Sequence, residues 1–464
     1  MKILVFSMAT IMKDVSMGGS QRHLRELLFY LAKQGHEVTV LTNKRSDNTE
    51  LFELCTGVRV LPILRFKETF PIPYDTYPFH LAHSYEIICK YAKKHDVFYI
   101  HDAQMDYGYL HAGIPTVASL KNFVYPEAMI SAFHTNRDRF IVSCHYMYES
   151  IKYTVGRVLP GIDEILTVVK NGIDLSVYKP VESDWRERLA IAKDHIVVLF
   201  PHRPDISKGI MNTFEVVKRL KSRVKKPIKL LMPKHFDVNV SKETETFYHK
   251  LQETAEKYGI HESITYYPWL PGHEMPEIYS IADVTLCIGN FIEAFGYVQI
   301  ESIACGTPAV VSNVGAQRTI VPEGYHVAKV DYDDIDAAVQ AVLSLLEEPV
   351  NLEKVHSFLD KTYNYEANLS GYEQLITSRA RYKGDLSKSE EQQTSQYKLA
   401  PWCYISEKGI YHDYYYKYFE KNKLHNFLAS RMDKPFSAEE LIEASFTQQD
   451  IEHAVEEGII VPMI

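Results

Sequence analysis

The feature that most limits the fold of this chain is an alternation of short apolar segments with longer amphipathic ones. Near the start, KILVFS at 2–7 is followed by a segment with leucines at helical spacing between Leu24 and Leu31. The alternation restarts with IVVLFP at 196–201, which precedes another amphipathic segment. Short strands separated by helices are typical of βαβ units and parallel sheets. The sequence therefore predicts an α/β protein with two doubly wound, Rossmann-like domains.

The predicted domain boundaries follow from changes in this pattern. The first domain covers 1–170, and the second covers 171–363 after an aperiodic stretch that contains NGIDLSVYKP. The helical region 364–381 is expected to cross back to the first domain. Residues 382–397 are polar and aperiodic, which predicts a linker. The last segment, 398–464, has an aromatic-rich stretch, two helical patterns and a final apolar strand, which predicts a small α+β unit.

Composition limits the class of function more than the fold. The 464 residues are 46% apolar and 24% charged, as in soluble globular proteins, and the net charge of −9 argues against a general polyanion binder. The six cysteines form no C-x-x-C pair, so buried free thiols are expected and a disulfide or zinc framework is not. Neither a signal peptide nor a membrane-spanning apolar run is expected, and a cytoplasmic protein is predicted.

Two groups of candidate residues follow predicted strands, where ligands of doubly wound sheets bind. Gly18 and Gly19 precede the first long helix and allow a ligand to approach its N-terminus closely, although a flexible loop would also explain them. No G-x-G-x-x-G motif is present, so no nicotinamide cofactor, and indeed no cofactor of any kind, is predicted. Arg203 and Lys208 follow IVVLFP in the loop PHRPDISKG, where two cations could neutralise a leaving diphosphate.

A third group lies in the segment EAFGYVQIE, which is bracketed by Glu293 and Glu301. A helix starting near Ala294 would direct the free N–H groups of Phe295 and Gly296 at a phosphate. Eight helical positions correspond to about 12 Å, too far for the two glutamates to act on one bond as the acid and base of a hydrolase. Separate recognition roles for the two carboxylates are therefore predicted, and no metal ligand is assigned.

These motifs resemble those of the family 4 retaining glycosyltransferases, which have the GT-B fold, over roughly residues 1–380. The most specific part is EAFG at 293–296 followed by ACGTPAV at 304–310, and NGID at 171–174 also fits the family. The resemblance implies an acceptor-side first domain and a second domain that binds a nucleotide-sugar donor, with Asn171 at the entry to the second.

The resemblance also implies a role for each candidate side chain. Glu301 would bind the nucleotide ribose, and Glu293 would bind hydroxyl groups of the donor sugar. Arg203 and Lys208 would bind the diphosphate, and Gly19 would face the donor. Arg203, Lys208 and Glu293 are thus the predicted catalytic side chains.

One position departs from the family pattern. Members usually have a histidine after the predicted strand TVASL, and this chain has Lys121 there, which could contribute a charge instead. His101 and Asp102 end the preceding predicted strand, and His101 could line the acceptor side or simply be a buried strand-end histidine. This departure leaves open a catalytically inactive binding subunit.

The predicted reaction is transfer of a sugar, with retention and without a metal ion, from a nucleoside diphosphate sugar to an acceptor hydroxyl. A sugar phosphorylase or a nucleotide-sugar epimerase of the same fold is the alternative enzyme. The acceptor class is open between a glycan, a lipid-linked, a small-molecule and a peptide acceptor. The basic run at 218–229 suggests at most peripheral membrane contact.

The unit 398–464 resembles small winged-helix modules, among them peptide-binding domains of enzymes that modify ribosomal peptides. Residues 401–464 contain six Lys/Arg and eleven Asp/Glu, so no nucleic-acid partner is predicted. A protein partner bound through this unit is predicted instead.

Overall fold

The structure is a computed structural model, and it describes most of the 464 residues. Outside the described part lie Val15, Met17, 67–75, 104–107, Ala112, 135–136, 203–204, 235–241, 388–395, 432–433 and Ile464. The chain divides into two compact units, of which the first combines 1–172 with 366–464 and the second is 173–365.

The first unit is built on an eight-stranded sheet in the order β3-β4-β2-β1-β5-β6-β7-β8. All neighbouring strands are parallel except β3 and β4. Its elements are β1 (Lys2–Ser7), α1 (Gly19–Lys33), β2 (Glu37–Asn43), β3 (Phe52–Cys55), β4 (Val58–Leu64), α2 (Pro78–Ala92), β5 (Val97–His101), β6 (Thr116–Leu120), α3 (Pro126–Phe133), β7 (Arg139–Val142), α4 (His145–Lys152) and β8 (Leu166–Val168).

The apolar run of β1 reflects its position in the middle of this sheet, where both faces are covered. Ile3, Leu4 and Val5 are fully buried, as expected for a strand with helices on both sides. The leucines of α1 between Leu24 and Leu31 are also buried, so they form the stripe with which the helix packs. The strand order reverses between β1 and β5, which places their carboxyl ends at the position where such sheets bind ligands.

The second unit has a six-stranded, all-parallel sheet in the order β11-β10-β9-β12-β13-β14. Here the order reverses between β9 and β12. Its elements are α5 (Trp185–Arg188), β9 (Ile196–Leu199), α6 (Ile210–Arg223), β10 (Ile228–Pro233), α7 (Lys242–Lys257), β11 (Ile264–Tyr267), α8 (Met275–Ile281), β12 (Val284–Cys287), α9 (Tyr297–Ala304), β13 (Ala309–Ser312), α10 (Gln317–Ile320), β14 (Val327–Val330), α11 (Ile335–Leu345) and α12 (Leu352–Thr362). The prediction of two Rossmann-like domains is confirmed.

The chain then returns to the first unit through α13 (Tyr365–Thr377). Asn368 of this helix contacts His23 of α1, with 2.9 Å between its Oδ1 and the Nε2 of the histidine, and donates its amide to the backbone oxygen of Lys170. After the helix, the backbone N–H of Tyr382 donates to Asp138. The predicted linker 382–397 is therefore attached to the first unit at the first residue of the linker, Tyr382. Residues 388–395 of the linker lie outside the described part of the chain.

The C-terminal segment forms two small antiparallel sheets and three helices, all grouped with the first unit. Its elements are β15 (Gln396–Leu399), β16 (Cys403–Ser406), β17 (Gly409–His412), β18 (Lys417–Phe419), α14 (Lys423–Arg431), β19 (Phe436–Ser437), α15 (Ala438–Glu443), α16 (Gln448–Glu456) and β20 (Ile460–Pro462). The resemblance to winged-helix modules stays a prediction. None of the helices in the described part of the chain is long and apolar enough to span a membrane.

The apolar core of the C-terminal segment includes Tyr153, the residue that directly follows α4. Tyr153 is buried in the same apolar cluster as Trp402 and Ile460. The hydroxyl of Tyr146 donates to the carboxylate of Asp413 over 2.7 Å, and Asp413 is fully buried. The C-terminal segment is thus packed on the first unit and is not separate from it.

Candidate active site

In the second unit, two glycines allow the loops after β9 and β12 to meet. Gly209 has φ +87°, and a Cβ on Gly289 would lie 2.2 Å from the backbone oxygen of Ser207. That same oxygen accepts hydrogen bonds from the backbone N–H groups of Asn290 and Phe291, both at 2.9 Å. Any side chain at Gly289 would push the loops apart. The glycines therefore allow the two loops to touch where the strand order reverses, the position at which such sheets bind ligands.

Lys208 and Glu293 form an ion pair across this loop contact. The Nζ of Lys208 lies 2.6 Å from Oε1 of Glu293, and the side chains are only 15% and 21% exposed. The ammonium also lies 3.5 Å from the ring centroid of Phe291. Burial raises the pKa of Glu293, but the charge of Lys208, the nearby His202 and the hydrogen bond from Lys208 together outweigh burial, so the pKa is below its ordinary value. A charged pair at this position can exchange partners with an incoming anion and its hydroxyl groups.

A small cavity of about 10 Å³ lies beside the pair, lined by His202, Ser207, Lys208, Cys287, Gly289, Phe291, Glu293 and Gln317. Burial and the nearby Lys208 lower the pKa of His202 to about 4, so its ring is neutral near pH 7. Sequence reasoning did not single out His202, Phe291 or Gln317. His202 and Phe291 could have been found, because they stand in the loops that follow β9 and β12.

The helix that follows Glu293 begins later than predicted. The sequence indicated a start near Ala294, but α9 begins at Tyr297, and Gly296 is its N-cap with φ +81°. A residue at positive φ cannot continue a right-handed helix, which explains the later start. The free N–H groups of the first turn therefore begin at Tyr297, and the predicted N–H groups of Phe295 and Gly296 lie before the helix.

The two residues before the N-cap of α9 are packed in the core. Ala294 and Phe295 are buried, and the Phe295 ring packs against Tyr297 and Tyr363 at centroid distances of 4.9 and 5.3 Å. The Phe295 side chain is thus part of the core. Gly315 contacts the same segment, since a Cβ on it would lie 2.9 Å from the backbone oxygen of Glu293. This packing fixes the Glu293 backbone from the side of the loop after β13.

Glu301 lies in the fifth position of α9, and not two turns in as expected from an earlier helix start. It is 5% exposed, and its Oε2 accepts a hydrogen bond of 2.9 Å from the hydroxyl of Tyr279. The tyrosine holds this carboxylate in one orientation. Arg203, the other predicted cation of the β9 loop, lies outside the described residues.

In the first unit, the glycine pair stands where it was predicted, at the start of α1. Gly18 is the N-cap in an extended conformation, and Gly19 is the first helical residue. The next residue, Ser20, contacts His101 at the end of β5. Asn171 is 5% exposed, and its Oδ1 has no hydrogen-bond partner within the described residues.

His101 is buried, and both of its ring nitrogens contact protein groups. Nε2 faces the backbone oxygen of Ser20 at 3.0 Å, and Nδ1 lies 2.9 Å from the hydroxyl of Tyr99. Burial, and then the charge of Lys121, lower the pKa of His101 well below its ordinary value. This environment favours a neutral histidine that positions the start of α1.

Lys121 directly follows β6 and points to α13. Its Nζ donates to the hydroxyl of Tyr372 over 2.7 Å, and its backbone N–H donates to Asp102 over 3.0 Å. Asp102 has φ +58°, an uncommon conformation for a residue other than glycine. Burial lowers the pKa of Lys121 to about 7, although the Asp102 carboxylate opposes this shift. His23, which sequence reasoning missed, also packs against Tyr372, at a centroid distance of 4.8 Å.

The low pKa of Lys121 predicts a pH dependence of stability. Because the folded chain binds fewer protons than the unfolded chain between pH 7 and 10.5, the contribution of this lysine rises with pH over that interval. Between pH 7 and 9 the free energy of unfolding should gain roughly 2 kcal/mol more in the wild type than in Lys121→Met. Urea denaturation at pH 7, 8 and 9 measures this difference, and parallel curves for the two proteins would contradict it.

In the described part of the chain, no three His, Cys, Asp or Glu side chains cluster in a way that could hold a metal ion. The candidate site residues that the structure describes thus fall into two groups, one in each unit. Lys208, Glu293 and Glu301 belong to the second unit, and Gly19 and Lys121 belong to the first.

Comparison with known proteins identifies the family of the chain. The family described as "Glycosyltransferase Family 4" matches residues 17–177, and the family "Glycosyl transferases group 1" matches 181–364. A D-inositol 3-phosphate glycosyltransferase from Acidothermus cellulolyticus is 26% identical over 364 residues, which are 73% of this chain and 80% of that protein.

Solved structures show the same fold. A sucrose-phosphate synthase from Thermosynechococcus elongatus superposes with a TM-score of 0.67 at 20% identity, over 81% of this chain and 98% of that one. HepE from Anabaena, in complex with UDP and glucose, gives a TM-score of 0.61 at 14% identity, over 82% of this chain and 100% of that one. The two family matches and the two strand-order reversals together lead to one conclusion: the chain belongs to the family 4 glycosyltransferases with the GT-B fold and is a glycosyltransferase.

Proposed function

We propose that this enzyme transfers a sugar from a nucleoside diphosphate sugar to an acceptor hydroxyl, with retention of configuration and without a metal ion. The observation that carries the proposal is the Lys208–Glu293 ion pair at the strand-order reversal of the second unit. A cation and a carboxylate next to a helix N-terminus suit a ligand that is anionic at one end and rich in hydroxyl groups at the other.

Negative charge develops on the diphosphate as the bond to the sugar breaks. In our proposal, Lys208 and Arg203 stabilise that charge, together with the free N–H groups at the start of α9. Donor binding would turn the Lys208 ammonium from Glu293 toward a phosphate oxygen and leave the carboxylate to accept hydrogen bonds from sugar hydroxyls. Two cations and a helix N-terminus supply the charge compensation that a metal ion would otherwise provide.

We propose a uridine diphosphate sugar as the donor class, because HepE was solved with UDP and glucose, and also with UDP-glucose. The first unit would bind the acceptor, near Gly18, Lys121 and Asn171. His101 would support this surface through Ser20. Six free cysteines support a reducing compartment, and we propose the cytoplasm.

The test of this assignment is ligand-induced stabilisation followed by turnover. A ligand that binds the folded state raises the melting temperature, so UDP and UDP-sugars should do so while nicotinamide cofactors should not. Release of UDP that depends on an added acceptor would establish transfer. Phosphate-dependent breakdown of an oligosaccharide would instead identify a phosphorylase, and interconversion of UDP-sugars without acceptor would identify an epimerase. Binding without any turnover would identify an inactive binding subunit.

Glu301→Ala should weaken UDP binding by about 1.5–3 kcal/mol, because a charge-assisted hydrogen bond to the ribose is lost. Isothermal titration calorimetry with UDP measures this effect. Tyr279→Phe is the matched control, since it removes only the hydroxyl that orients the carboxylate and should have a smaller effect. Unchanged UDP affinity in Glu301→Ala would remove this residue from the donor site.

The C-terminal segment is our candidate for a protein or peptide contact. Tyr415 and Tyr416 are 45% and 48% exposed, and Tyr416 has φ +55°. The neighbouring Tyr414 is directed inward, and its hydroxyl lies 3.4 Å from the backbone oxygen of Phe123. Phe123 follows Lys121 by two positions in the chain. An exposed tyrosine pair close to the proposed acceptor side supports a role in acceptor recognition and not in donor binding.

A further inference from the structure

Gln299 is a buried polar side chain with no role in the reaction as described so far. It is the third residue of α9 and is 1% exposed. Neither its side-chain Oε1 nor its Nε2 has a hydrogen-bond partner among the residues that the structure describes. Besides its two glutamates, the segment EAFGYVQIE therefore contains the buried polar side chain of Gln299. The polar atoms of this side chain have no partner among the described residues.

The amide of Gln299 is directed back to the N-terminus of its own helix. Its Nε2 lies 3.2 Å from the position that a Cβ on Gly296 would occupy, and Cγ of Gln317 lies 3.3 Å from the same position. Gln317 in turn lines the cavity beside Lys208 and Glu293. The two glutamine side chains thus meet over the N-cap of α9, next to the proposed donor site.

An unsatisfied buried amide destabilises a protein, because the group has lost water without gaining a partner. An apolar side chain of similar size would avoid that cost. Beside the proposed donor site, such a polar group points to a partner that the ligand supplies.

The chemistry of the two unpaired atoms limits the type of partner. Nε2 donates and Oε1 accepts, so the amide needs one acceptor and one donor. Phosphate oxygens that are ionised only accept, and they would satisfy Nε2 alone. A sugar hydroxyl both donates and accepts, and it can satisfy the two atoms together.

We propose that Gln299 is a further donor-recognition residue that binds a hydroxyl group of the transferred sugar. This inference rests on the proposed function, since it assumes a nucleotide-sugar donor at the N-terminus of α9. Gly296 leaves the space for this contact, because a side chain there would press against both glutamines. Gln299 would then contribute to the choice of sugar, whereas Glu301 would contribute to binding of any donor with the same nucleotide.

The experiment compares wild type with Gln299→Leu, which keeps the approximate size and removes both polar atoms. Calorimetry is carried out with UDP and with whichever of UDP-glucose, UDP-galactose and UDP-N-acetylglucosamine the wild type binds most tightly. We expect the Kd of the UDP-sugar to rise about tenfold, the loss of one good hydrogen-bonding contact. The Kd of UDP itself should stay unchanged, and the ligand-free variant should melt about 2–4 °C higher.

Thr213→Val is the matched control, because it also removes a polar group of the second unit that is buried and has no described partner. That group is the hydroxyl of Thr213, which is fully buried. This substitution should change neither affinity. If Gln299→Leu binds the UDP-sugar as tightly as the wild type does, the inference is wrong although the proposed function stands. An equal loss for UDP and for the UDP-sugar would also overturn it, since the amide would then act on the nucleotide. If the wild type binds neither ligand, the proposed function itself fails.

Discussion

Lys208→Met is expected to lower kcat by a factor on the order of 10²–10³, the range found when an oriented charge-stabilising group is removed from an active site. The ammonium lies 2.6 Å from Glu293 and over the Phe291 ring, so it is held beside the proposed donor site before the donor binds and has only to turn toward a phosphate oxygen. Its effect should be larger in the transition state than in the bound donor, because the diphosphate gains charge as the bond breaks. The loss should therefore appear mainly in kcat and less in KM, as measured by acceptor-dependent UDP release.

Lys218→Met is the matched control for this prediction. Lys218 is a half-exposed lysine of α6 in the same unit, paired with Glu215, and its loss should leave kcat unchanged. EDTA should also leave the wild-type rate nearly unchanged. A wild-type rate that depends strictly on a divalent cation would contradict the proposed role of Lys208, because the metal would then carry the charge of the leaving group.

Removal of residues 388–464 is expected to lower the melting temperature of the first unit by on the order of 10 °C. Truncation would expose Tyr153 and Tyr146, which are 4% and 7% exposed in the full chain. Burial of one large apolar side chain contributes about 1.5–3 kcal/mol, and each kcal/mol shifts the melting temperature by about 2–4 °C in a unit of this size. The truncated chain would also lose the ion pair between Lys398 and Glu149. Differential scanning fluorimetry measures the shift.

Tyr153→Ala, made in both the full and the truncated chain, tests the mechanism of this effect. If Tyr153 is stabilised by the C-terminal segment, the substitution should destabilise the full chain and have much less effect on the truncated one. The truncated chain should still bind UDP, because the second unit does not include the C-terminal segment. A truncated chain with wild-type stability would contradict the predicted packing role, whereas lost acceptor turnover would agree with the proposed role of the segment in acceptor recognition.

The difference between sequence and structure is clearest in the segment EAFGYVQIE. The sequence places two glutamates around a helix N-terminus, and both stand near that terminus. α9 begins three residues later than predicted, because Gly296 adopts a positive φ, and Gln299 and Gln317 leave little room for a side chain at that position. Glycine is compatible both with a right-handed helix and with a positive φ, so the residue type alone does not decide between the two conformations.

Lys121 illustrates a second limit. Its place after a strand, and its replacement of the usual histidine, could be read from the sequence. Its lowered pKa could not, because burial of the amine depends on Tyr372, which lies 251 positions further along the chain. The same holds for the C-terminal segment, whose aromatic composition suggested a separate unit, whereas Tyr153 completes its core.

The sequence by itself determined the two Rossmann-like domains, the loops that carry the candidate site and the family. These properties depend on local signals, namely apolar periodicity, strand length and the glycines and charged residues that follow strands. Only the tertiary structure decided which of these residues meet. Lys208 and Glu293 are 85 positions apart, and they pair because β9 and β12 are neighbours in the sheet and two glycines allow their loops to touch. Strand order and loop contact result from packing of the whole unit, and no local pattern of residues encodes them.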